Sequence, residues 1–213
     1  YTGMAAHMLR TAFGPALALE QPQSIIVFED HTSYVEESPA HVRGGLVPNV
    51  HRMVQAQRDF AQAFRLRTHR TLTESEARED DGSNVAGISH AMMAEHYALP
   101  GQLLVGTDSH TPHSGALGCV AFGVGTTDMA NAFVTGAVRM TMPRSLLVVL
   151  EGALRPGITA KDVVLHLLTQ PLVRSGEGLG KVFEFGGPVI ERMGTDERAT
   201  LTNMTAEKGG FTG

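Results

Sequence analysis

Four short apolar runs punctuate the chain: SIIVF (Ser24–Phe28), QLLVG (Gln102–Gly106), SLLVVLEG (Ser145–Gly152) and KVFEFGG (Lys181–Gly187). Each has the length of a buried strand and is far too short to cross a bilayer. Between them lie longer segments with apolar residues at helical spacing. PNVHRMVQAQRDFAQAFRL, for example, places Val50, Met53, Val54, Phe60, Ala61 and Phe64 on one face. Strands alternating with helices constrain the chain to an α/β fold, a mixed or parallel sheet between helical layers in a three-layer α/β/α arrangement. Further helices are predicted over residues 1–13 with Thr2 as cap, 88–99, 126–138, 159–170 and 195–210. Thr159 and Asp162 form a capping-box pattern; Thr195 reads as a cap and Gly209-Gly210 as a stop. The acidic stretch 71–84 reads as a solvated loop or short helix.

Composition narrows the function. The net charge of −5 over 213 residues excludes a general nucleic-acid surface, which needs clustered Lys and Arg. No run reaches transmembrane length and no signal-peptide pattern is read, so no membrane partner is expected. Cys119 is the single cysteine. It precludes an internal disulfide, fits a cytoplasmic setting and reads as a small core residue. A start at Tyr1 and an end in GGFTG suggest a fragment of a longer protein.

The chain carries ten histidines. Three of them stand at element ends, beside polar partners: Asp30-His31, Ser89-His90 and Asp108-Ser109-His110. Two of these groups directly follow apolar strands, and ligands of open α/β sheets bind beyond the carboxyl ends of strands. A carboxylate fixes the tautomer of an adjacent imidazole, which suits acid–base work. Gly115, Gly118, Gly123 and Gly125 follow without the Lys-Ser/Thr of a phosphate loop; for Gly123 and Gly125 tight helix packing is the expected role. Asn203 and Glu207 are four apart on one predicted helix and so share a face. Residue chemistry alone leads to an acid–base site at strand ends.

The segment VGTDSHTPHSGALGCVAFGVGTTD resembles the signature of the aconitase and 3-isopropylmalate dehydratase family. FEDHT, GISHAMMAEHYALPGQLLVGTDSH and LTNMTAEKGGFTG resemble further family segments, in order and along essentially the whole chain. The resemblance implies reversible dehydration and rehydration of a small hydroxy di- or tricarboxylate. It also implies a [4Fe–4S] cluster acting as Lewis acid on the leaving hydroxyl. By position, Asp30 would orient His31, the proton donor to that hydroxyl. His90 would pair with Asp108, and His110 with Glu207. Ser109 would bind a substrate carboxylate, and Asn203 would sit near the cluster.

The chain also departs from the family pattern. The cluster's three cysteine thiolates belong to a Ser-Cys-Thr-Asn motif and a later Cys-x-x-Cys, and neither is present. No metal ligand is therefore assigned in this chain, and the cofactor is expected only in a full-length protein. The base that removes the carbon-bound proton belongs to a swivelling domain or small subunit, also absent. Lys208 stands where an aliphatic residue is expected and should disturb packing beside the site. The expectation is an aconitase-like N-terminal region, with a first α/β unit over 1–144 and the truncated start of a second over 145–213, inactive alone. Two rivals remain from the residues: a Zn or Mn metallohydrolase using Asp30, His31, His90, Asp108 and His110, and a non-catalytic carboxylate-binding module.

Overall fold

The computed structural model describes residues 2–31, 44–46, 49–82, 84 and 87–213. It divides into two compact units. One comprises residues 1–92 and 125–139, the other 93–124 and 140–213.

The first unit is built on α1 (Thr2–Phe13), β1 (Ile26–Phe28), α2 (Val50–Phe64), β2 (Arg67–His69), α3 (Glu74–Glu79), the start of α4 (Ser89–His96) and α5 (Thr126–Thr135). Its core gathers Ala5, Ala6 and Leu9 of α1, Val50, Val54, Phe60 and Ala61 of α2, and Met129, Ala130 and Phe133 of α5. The rings of Phe60 and Phe133 lie 5.9 Å apart. β1 and β2 pair in parallel, with Phe28 opposite His69. Beyond the pair, the buried Glu29 carboxylate accepts from Arg58 through both oxygens, at 2.7 and 2.8 Å. A buried carboxylate needs such bidentate compensation.

The second unit holds β3 (Leu103–Gly106), β4 (Val120–Gly123), β5 (Ser145–Val149), α6 (Ala160–Thr169), α7 (Pro171–Arg174), β6 (Val182–Gly186), α8 (Pro188–Arg192) and α9 (Thr195–Asn203). β3 pairs with β4 and β5 with β6, both in parallel. Ala160, Val163 and Val164 of α6, Val189, Met193 and Leu201 form one core cluster. α6 starts as its sequence indicates: the Asp162 carboxylate accepts from the backbone N–H and hydroxyl of Thr159, at 2.8 and 2.7 Å. These bonds hold the Asp162 carboxyl below its usual range.

The α/β class stands, and every strand pair among the described residues is parallel. Several details differ from the sequence reading. β1 starts two residues late, because Pro22–Ser24 is a turn of 3-10 helix. β2 and β4 were not expected: Arg67–His69 has no apolar run, and Val120–Gly123 is embedded among glycines. Leu103 and Leu147 are 57% and 65% exposed, unlike residues of a strand covered on both faces. Thr2 is the first helical residue of α1 rather than a cap in front of it. α9 stops at Asn203, and a 3-10 turn, Ala206–Lys208, follows before Gly209 at φ +70°. Asn203 and Glu207 therefore do not share one α-helical face. Gly194, not Thr195, occupies the N-cap of α9.

The compact units also interleave along the chain, which differs from a single boundary near Arg144. Long-range contacts are the reason. The Thr202 hydroxyl donates to the carbonyl of His113 at 3.0 Å, and that of Thr212 to Ala121 at 2.5 Å. The rings of Phe122 and Phe211 are 4.5 Å apart. These contacts draw 111–122 to the C-terminal segment, while Phe133 draws α5 to α2.

Candidate active site

In the first unit, β1 delivers the chain to Asp30 and His31. One Asp30 oxygen accepts from the His31 backbone N–H at 2.8 Å and lies 2.7 Å from its Nδ1. The other accepts from the backbone N–H of Ser89, the first residue of α4, at 3.1 Å. A helix start has free N–H groups and partial positive charge, so it holds a carboxylate well. Burial raises the pKa of Asp30, but hydrogen bonds from Ser89 and His31 outweigh it and hold the carboxyl below its usual value. The His31 side chain is 67% exposed. His90 follows Ser89 in the first turn of α4, half-buried.

In the second unit, the turn after β3 folds back on itself. The Asp108 carboxylate accepts from the His110 N–H at 2.8 Å, and its carbonyl accepts from the Thr111 hydroxyl at 2.7 Å. Pro112 stands in the first turn of the 3-10 segment Thr111–Leu117 that follows. Gly123 of β4 lies beside this turn: a Cβ there would sit 2.4 Å from the Asp108 carbonyl oxygen. Close approach to the turn, not helix packing, is its role. Gly125 also departs from the expected packing role, standing at the N-cap of α5.

The turn sets His110 between two acids. Its Nδ1 is 3.4 Å from Asp108 Oδ1 and 3.3 Å from Ser109 Oγ. Its Nε2 is 3.1 Å from Glu207 Oε1, brought from 97 residues away. Asn203 places its amide nitrogen 3.4 Å from Nδ1 of His113. Sequence reasoning passed over His113 and Thr202, although the second imidazole in DSHTPH was the available signal. His90 belongs to the first unit and Asp108 to the second.

Lys208 does not disturb the packing. It is 4% exposed, with Nζ donating to the Met204 carbonyl at 2.9 Å and standing 5.3 and 5.6 Å from the ring centres of Phe183 and Phe185. Burial pushes its pKa down to about 8, against the opposing pull of the Glu207 charge. Cys119 is a core residue, buried with Ala98 and Ala121 and donating to the Leu99 carbonyl at 3.2 Å. Burial raises its thiol pKa. One buried, protonated thiol does not fit a [4Fe–4S] cluster, which is held by several thiolates.

The aconitase family model (aconitate hydratase) matches residues 4–213. The chain belongs to the aconitase family. Over 134 residues it is 43% identical to the 3-isopropylmalate dehydratase large subunit 1 of Pyrococcus furiosus, covering 62% of this chain and 31% of that protein. It is 44% identical over 127 residues to an Emericella nidulans protein named as a mitochondrial aconitate hydratase, covering 60% of this chain and 16% of that protein. The 3-isopropylmalate dehydratase large subunit of Elusimicrobium minutum is 39% identical over 127 residues, 30% of its length. The matched part of this aconitase-family chain thus spans about a third or less of these curated relatives. The relatives are named for hydro-lyases, enzymes that add or remove water. No helix of the described residues is long and apolar enough to cross a membrane.

Proposed function

We propose that this chain is part of a hydro-lyase that reversibly dehydrates and rehydrates a small hydroxy di- or tricarboxylate, and that it supplies acid–base groups of the site. The observation that carries the reading is the pairing of imidazole with carboxylate at two strand ends of an aconitase-family chain: Asp30 with His31 at 2.7 Å, and His110 with Glu207 at 3.1 Å.

In this reading, dehydration breaks a C–H bond and the neighbouring C–O bond. The exposed His31, oriented by Asp30, delivers the proton that lets the hydroxyl leave as water. His110 is held at both nitrogens, by Asp108 and Glu207, so its ring keeps one orientation in the site. The Ser109 hydroxyl hydrogen-bonds a substrate carboxylate, and His90 pairs with Asp108. The base that takes the carbon-bound proton comes from a swivelling domain or small subunit; the large-subunit names of the relatives favour the latter partner. Any [4Fe–4S] cluster would draw its thiolates from residues outside this chain, and Asn203 would lie near it. The chain alone is inactive in this proposal, and the setting is cytoplasmic.

The test is an assay of a protein that contains this chain with its downstream region and small partner, following ultraviolet absorbance of the unsaturated acid. Citrate-type and isopropylmalate-type acids are offered in turn. Interconversion of one class, abolished in His31→Asn, supports the reading. Full activity in His31→Asn, or no turnover of any hydroxy acid, contradicts it.

A further inference from the structure

A lysine that is 4% exposed is uncommon, because its ammonium leaves water at a cost. Lys208 meets that cost with particular contacts, and they bear on Glu207. The Met204 carbonyl accepts two donors: the backbone N–H of Glu207 at 3.2 Å and Nζ of Lys208 at 2.9 Å. The same ammonium faces the rings of Phe183 and Phe185 in β6. Gly210 keeps Phe183 close to this turn, since a Cβ there would lie 2.8 Å from the ring. The Lys208 side chain thereby ties the Ala206–Lys208 turn to β6 and to the end of α9.

Glu207 needs such a tether. Its side chain is 48% exposed, so packing does not fix it. Its place beside His110 is set by the backbone that carries it. We infer that Lys208 is a positioning residue of the acid–imidazole site: by sharing the Met204 carbonyl with the Glu207 amide, it holds the turn that presents Glu207 to Nε2 of His110. The inference rests on the reading of His110 and Glu207 as a functional pair.

The test reads the ring-nitrogen signals of His110 in protein labelled with 15N-histidine, at a pH where the imidazole is neutral, with His110→Asn for assignment. The wild type is expected to carry its proton on Nε2, facing Glu207, in nearly all molecules. In Lys208→Met, which fills the same apolar space without a donor, that share should fall to about half, because the hydrogen bond that selects the tautomer is loosened. Lys208→Arg keeps a donor for Met204 and should return the signals toward wild type. Unchanged His110 signals in Lys208→Met would overturn the inference, and so would loss of its fold, which would mark Lys208 as a strut of the whole unit. Glu207→Ala separates the two claims. If it too leaves His110 unmoved, the pair itself is wrong. If it moves His110 while Lys208→Met does not, only the role of Lys208 falls.

Discussion

The two imidazole–carboxylate pairs use the same chemical parts and are held in opposite ways. In the first unit the acid is the fixed member. Asp30 is bound by the start of α4, and His31 stands outward with 67% of its side chain exposed. In the second unit the imidazole is the fixed member. His110 is 32% exposed and touches a carboxylate at each nitrogen, one from its own turn and one from 97 residues on. An exposed imidazole on a fixed acid can reach a leaving group and exchange its proton with water. An imidazole bridged at both nitrogens keeps one orientation. In the proposed function, proton delivery falls to the first pair and orientation of the reacting carbons to the second.

Five substitutions, in four steps of expected effect, would break or sharpen this contrast. The largest effects belong to the imidazoles. In the full-length protein His31→Asn and His110→Asn should each lower kcat by roughly 10²–10⁴-fold, the range of a lost general acid or base. KM should rise more for His110→Asn, and steady-state rates on the hydroxy acid would show both. A loss confined to one of them would remove the two-pair account.

Next is Gly123→Ala. Its Cβ would meet the Asp108 carbonyl at 2.4 Å, and backbone cannot swing aside. A loss of about 3 kcal/mol in denaturant unfolding is expected, with the second pair disturbed and the first intact. Unchanged stability would show that the turn yields.

Lys208 comes third. Its pKa is lowered from 10.5 to about 8 in the folded chain. Between those values the unfolded state binds more protons, so stability rises with pH across that window, and the cost is fully present below it. Wild type should gain on the order of 2 kcal/mol over Lys208→Met between those pH values. A flat difference would contradict the burial of the ammonium.

The smallest effect is at Asp30. Its carboxyl is held below the ordinary value of 3.8, so its contribution is present above that pH and lost as pH falls through the folded pKa. Asp30→Asn should cost less than about 1 kcal/mol near neutrality, discounted for partial exposure. The gap to wild type should close in acid unfolding curves.

The two pairs also differ in how far the sequence alone reveals them. Asp30-His31 is visible because the partners are adjacent and a strand of three apolar residues leads straight to them. The class of fold was visible for the same reason, as apolar runs and helical spacing are local signals. The contact of His110 with Glu207 depends on a reversal no local signal encodes. Residue spacing suggested that Asn203 and Glu207 shared a helix. Instead α9 ends at Asn203, and a tighter turn carries Glu207 to His110. β4 was hidden because Val120–Gly123 lies in a glycine-rich stretch, where glycine serves contact with the Asp108 turn. Lys208 read as a misfit because composition does not show that two phenylalanine rings and a helix-end carbonyl await it.

The most direct test of the central claim, that each imidazole works through its tethered carboxylate, is a double-mutant cycle on His110 and Glu207 in a protein that contains this chain with its downstream region and is assayed for the proposed hydro-lyase activity. Steady-state rates would be compared for His110→Asn, Glu207→Ala and the two combined. Residues that act as one unit are not additive. The account predicts that the double variant is no slower than His110→Asn alone. Losses that multiply would mean that Glu207 and His110 act separately, and would contradict it.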